Sequence, residues 1–90
     1  MNKQELEQML VDEYDFLAQY ERELVTAEAE LMEEYSRDEK YGNGHSEQEL
    51  ASYQRQDKLQ RTVRQCKQSV ASQKDVIANL EQQLITLNLY

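Results

Sequence analysis

Ninety residues with two glycines, no proline and one cysteine make a single domain of all-α class, because almost nothing in the chain interrupts a helix. A formal net charge of −8 disfavours unaided binding to nucleic acid or an anionic membrane, since the field of the whole molecule repels phosphate. The lone Cys66 cannot close an internal disulfide, the first residues lack the basic-then-apolar layout of a signal peptide, and no apolar run approaches the ~20 residues of a membrane span, so a reducing, cytoplasmic setting is expected.

In chain order, Asn2 and Glu5 have the spacing of a helix start, and a first helix is predicted from about Lys3 to Tyr41. Gly42 and Asn43 suit the left-handed conformation that ends a helix. After a loop over 42–46, Ser46 and Glu49 form a capping box that opens a second helix from about Glu47 to Leu87. Two long helices joined by so short a loop fold back as an antiparallel hairpin spanning residues 1–90.

The apolar spacing makes that hairpin a coiled coil. Leu10, Leu17, Leu24 and Leu31 recur every seven residues, as do Val63, Val70, Ile77 and Leu84, which Leu59, Cys66, Leu80 and Leu87 join three residues on. A turn pivoting near Asn43 and Gly44 places residues whose numbers sum to about 87 level with one another. Leu10 then faces Ile77, Leu17 faces Val70 and Leu24 faces Val63, so a register taken from the loop alone brings both seams together.

One stripe per helix is a small core for a domain of this size. A second heptad series, Val11, Ala18, Val25 and Met32, lies about 100° around the first helix, and Tyr14, Phe16 and Tyr20 widen its apolar surface. The second helix carries Ala71, Ala78 and Ile85, and its end, with Ile85, Leu87, Leu89 and Tyr90, overhangs the last residue of the first. The series either flanks one wide seam or, with Ile85, Leu89 and Tyr90, meets a second copy in a homodimeric four-helix bundle or a client protein; the overhang either packs there or frays.

Charge divides at the loop: residues 1–50 hold fifteen carboxylates against four cations, a net −11, while the remainder carries +3. By level, Glu13 with Lys74 and Glu23 with Arg64 are expected neighbours, each exposed pair contributing about 0.2–1 kcal/mol. Glu5, Asp12, Asp15, Glu23, Glu30 and Glu33 fall within a narrow range of wheel angles and form an unneutralised strip on the outward side of the first helix. Such a strip is either a solvated face or a contact for a basic protein surface, the nucleic-acid groove of an enzyme included, as small phage-encoded inhibitors use. Against close phosphate mimicry, seven-residue steps of about 10.5 Å exceed the ~7 Å between phosphates.

Arg55, Lys58, Arg61, Arg64 and Lys67, one every three residues, wind around the second helix instead of making one basic face, and Gln54, Gln56, Gln60, Gln65 and Gln68 serve to keep it soluble. One histidine and one cysteine cannot assemble a nucleophile, base and orienter: His45 belongs to turn chemistry, Cys66 to the seam, and no glutamate stands three residues before His45 as di-metal bundles require. No catalytic, cofactor, metal or small-molecule substrate site is expected. Tyr35, Tyr41 and Tyr53 pack the hairpin tip or form a recognition patch there. A non-enzymatic regulator or inhibitor acting on a larger protein through the acidic strip fits these features best, with a structural or chaperone-like hairpin gripping a client through its apolar residues as the alternative.

Overall fold

The computed structural model describes residues 2–41 and 46–89, and the side chains of 2–37 and 50–89. Two helices, α1 (Lys3–Tyr41) and α2 (Ser46–Leu89), pack along each other in a hairpin 68 Å long and 14 by 13 Å across. At about 1.5 Å per residue, α2 alone accounts for nearly that whole length. The helix start read from Asn2 and Glu5 is present: Glu5 N–H donates to Asn2 Oδ1 at 2.8 Å, Asn2 Nδ2 to Glu5 Oε1 at 3.4 Å, and Leu6 N–H to the Asn2 carbonyl at 3.1 Å. The proposed turn over Gly42, Asn43, Gly44 and His45 lies outside the described residues, as do the capping side chains of Ser46 and Glu49, the Tyr41 side chain and Tyr90. At the other end α2 continues as helix to Leu89, past the expected Leu87.

The seam keeps the register expected from the loop. Leu6, Leu10, Ile77 and Leu80 form the buried cluster, with Leu17 and Leu84 packed against it. Leu10 thus meets Ile77 as anticipated, and Gln73 bonds Glu13 one layer further along. Steps of seven from these contacts bring Leu17 level with Val70 and Leu24 with Val63. Both valines are buried; the leucines opposite them are half-buried.

What fills the other half of the seam differs from a plain hydrophobic repeat. Inward positions on α1 alternate in steps of four and three through Leu6, Leu10, Glu13, Leu17, Tyr20, Leu24, Ala27, Leu31 and Glu34, all of them buried or half-buried. On α2 the same alternation runs through Ser52, Gln56, Leu59, Val63, Cys66, Val70, Gln73, Ile77, Leu80 and Leu84. Five polar side chains therefore stand in the seam. Gln56, read as a solubilising surface residue, is buried there, and Gln60, read the same way, is half-buried and donates to the Tyr35 hydroxyl at 2.6 Å. Tyr20 belongs to the seam and not to an outer apolar surface. Cys66 holds its expected seam position with a free thiol but is only half-buried.

Candidate functional site

The seam divides each helix into two flanks and a back. On one flank Tyr14 donates to the Glu81 carboxylate and Gln60 donates to Tyr35. These partners sum to 95, not 87, because side chains lean toward the amino terminus of their own helix and those of antiparallel helices lean toward each other. The same relation assigns Glu21 to the register position of Lys74 and Glu28 to that of Lys67. This corrects the pairs expected from level alone: among the described residues neither Glu13 with Lys74 nor Glu23 with Arg64 forms an ion pair. Glu13 turns inward, where Gln73 Nε2 donates to its carboxylate and, at 2.8 Å, to its backbone carbonyl.

Val11, Ala18, Val25 and Met32 lie beside this Tyr14 flank and outside the hairpin seam, so they do not merely widen it. Val25 and Met32 are 67% and 66% exposed, Val11 is exposed and Ala18 half-buried. Ala71, Ala78 and Ile85 take the matching positions on α2, also exposed. Leu89 is exposed as well, but its heptad position is on the back of α2, away from that group. The carboxy-terminal overhang is thus helical and apolar, with nothing in the hairpin covering Ile85 or Leu89.

The acidic strip occupies the remaining sides of α1. All six carboxylates are exposed. Asp15 points back from the seam, Glu5, Asp12 and Glu33 lie next to it, and Glu23 and Glu30 come round to the second flank, where they line a shallow groove with Arg22, Thr26, Thr62 and Cys66. The strip therefore wraps from the outward side onto the flank opposite Tyr14, further than its wheel angles imply. Nor is it uniformly unpaired: Arg37 binds Glu33 at 2.9 Å, Gln8 donates to Asp12 at 3.2 Å, Gln19 to Glu23 at 3.3 Å, and Glu5 serves the cap. Only the Arg37 contact neutralises charge. Asp15 and Glu30 make no hydrogen bond or ion pair among the described residues.

Near the tip, Glu34 is 4% exposed, and its carboxylate is held by Arg55 Nε at 2.8 Å across the seam and more loosely by Arg37 at 3.7 Å. Both guanidinium groups stay largely in solvent. This ion pair and the Glu13–Gln73 layer went unanticipated. Their signal lies in the heptad itself, since Glu13 and Glu34 continue the series of Leu6 and Ala27, while Gln73 falls between Cys66 and Leu80.

Tyr14 is the one described group with a resolved titration shift. Its hydrogen bond to Glu81 raises the phenol above its ordinary 10.0, with partial desolvation and repulsion between phenolate and carboxylate adding to the effect. The sign follows: below pH 10 the phenol is protonated in folded and unfolded chains alike and the bond is whole, and its stabilisation is lost as pH rises through the raised value. A phenolate absorbance titration of Glu81→Gln should show Tyr14 ionising at lower pH than in the parent; an unchanged curve would remove Glu81 as the cause.

Among the described residues no cluster of three or more His, Cys, Asp or Glu side chains is placed to hold a metal ion, and no helix is long and apolar enough to cross a membrane. Comparisons with protein-family models, with curated proteins and with solved structures return no match to this chain.

Proposed function

We propose that this hairpin is a cytoplasmic, non-enzymatic binding protein that regulates or blocks a larger protein through the acidic side of α1. The observation that carries this reading is the run of exposed carboxylates from Glu5 to Glu33 with, among the described residues, a single charge-neutralising contact, at Glu33. A predominantly acidic surface along a stiff rod, broken only locally by Arg22 and Arg37, steers and orients a basic partner, and the nucleic-acid groove of an enzyme is one such surface. Affinity capture at low salt, quantified by mass spectrometry, tests it. The triple variant Glu23→Lys, Glu30→Lys, Glu33→Lys should retain a partner at least ~10-fold less well than the parent, and raising salt should release the partner from the parent. Full retention by the triple variant would sink the acidic-strip mechanism.

The second reading, a chaperone-like or scaffold hairpin that buries its apolar stripe on a client, is favoured by the two-thirds exposure of Val25 and Met32. Its complexes should resist salt and be lost in Val25→Ser, Met32→Ser.

A further inference from the structure

The Tyr14 flank and the acidic strip differ in chemistry, and the difference selects a partner for the former. Next to Tyr14 the heptad positions of α1 carry Val11, Ala18, Val25 and Met32, and those of α2 carry Ala71, Ala78 and Ile85, so both helices expose small or apolar side chains to the same side. The charged residues interleaved with them differ in net sign on the two helices: Glu7, Glu21 and Glu28 on α1, and on α2 Arg64, Lys67 and Lys74 against Asp57 and Glu81.

We propose that this flank is a self-association surface on which a second copy of the chain packs through a two-fold axis parallel to the hairpin, so that α1 of each copy lies on α2 of the other and both tips point the same way. The acidic-strip reading is not needed for this, since the strip faces elsewhere.

Charge decides the arrangement. A two-fold axis across the hairpin would lay α1 on α1 and set Glu7, Glu21 and Glu28 against their own copies. The parallel axis instead lays α1 on the other copy's α2, whose flank carries Arg64, Lys67 and Lys74 against Asp57 and Glu81; Glu21 comes level with Lys67, which outweighs the one like-charged approach, Glu7 to Glu81, that this axis makes. Register agrees with charge: with residues summing to about 87 at one level, Val11 comes level with the second copy's Ala78, Ala18 with its Ala71, and Glu21 with its Lys67. Alanines at both central contacts let the helices approach to the ~8–10 Å of close packing. Ile85, uncovered in the hairpin, falls against the start of the other α1. A face 68 Å long and 14 Å wide has room for the ~800 Å² per partner of a standard interface.

The test combines sedimentation with crosslinking of full-length chains. The parent should sediment as a dimer, and Val25→Ser, Met32→Ser should weaken association by at least ~100-fold while keeping its helical circular dichroism, because the hairpin seam does not use either residue. For geometry, Ala18→Cys and Ala71→Cys chains, each also Cys66→Ser, are mixed and oxidised. Crosslinks between position 18 of one chain and position 71 of the other should dominate. A chain that stays monomeric at high concentration overturns the proposal and leaves the face to a different protein, a dimer unaffected by the double serine variant overturns it too, and dominant 18-to-18 crosslinks overturn the parallel axis in favour of α1 on α1.

Discussion

An Ile77→Ala variant should lose about 2–4 kcal/mol of stability, among the largest effects of any single truncation in the hairpin. Ile77 lies in the one place where four large apolar side chains meet, among Leu6, Leu10 and Leu80, and it is buried with them. Elsewhere the layers are thinner: Ala27 lines the seam beyond Leu24, Cys66 is half-buried, and Glu34, Ser52 and Gln56 stand toward the tip. Removing the branched side chain opens a cavity between rigid helices that are fixed in register above and below, so the site collapses poorly and the cost sits well above bare transfer free energy. Since folded domains hold only about 5–15 kcal/mol in all, and a single stripe per helix belongs at the low end, such a loss leaves a substantial unfolded population at physiological temperature. Urea titration followed by circular dichroism, at equal chain concentrations, provides the measurement. The control is Leu89→Ala, a helical residue 76% exposed, for which a change within about 0.5 kcal/mol is expected. Equal shifts for the two variants would mean that the Leu6–Leu10–Ile77–Leu80 cluster does not hold the fold.

The architecture was readable because two independent signals agree. In the sequence, Gly42, Asn43 and Gly44 mark where a turn is expected, and the leucine and valine repeats on either side fall into register about that point; Leu10 beside Ile77 bears the register out. The seam's composition was less readable, since a search for apolar repeats passes over any position that breaks them. Gln73, Gln56, Glu13 and Glu34 occupy inward positions by phase alone, and only the packing of α2 shows that they are enclosed. Electrostatic neighbours were misplaced for a geometric reason: level matching ignores the lean of long side chains, which brings Tyr14 to Glu81 instead of to the residue opposite its backbone. The acidic strip was legible as an arc of the wheel. That Glu23 and Glu30 border a groove with Thr62 and Cys66, while Val25 and Met32 look the other way, depends on which side α2 occupies.

The polar layer between Glu13 and Gln73 has a second large consequence, and its sign should reverse between single and double substitution. Gln73→Leu removes the amide that donates to both the Glu13 carboxylate and its backbone carbonyl, leaving a half-buried carboxylate against new apolar surface. A cost of about 1–3 kcal/mol is expected, the desolvation penalty of an acceptor stripped of its donor. Glu13→Leu should cost less, because the Gln73 amide keeps the Glu13 carbonyl, 2.8 Å away, as acceptor. With both replaced, two leucines join the layer next to Leu10, Leu17, Val70 and Ile77. A buried polar pair exchanged for packed apolar residues is often neutral or stabilising, so the double variant should exceed the parent by about 1–2 kcal/mol, or roughly 5–15 °C in Tm. A thermal and urea double-mutant cycle measures the coupling; if Gln73→Leu alone stabilised the hairpin, the bond would be contributing nothing. What the layer supplies in return is register. Slipping α2 by one heptad would face Glu13 with Leu80 or Cys66 instead of Gln73, and the same slip would part Glu34 from Arg55 near the tip. An uninterrupted apolar seam carries no such penalty, so the more stable double variant should also populate additional oligomers in sedimentation, as coiled coils do when a single buried polar position is removed.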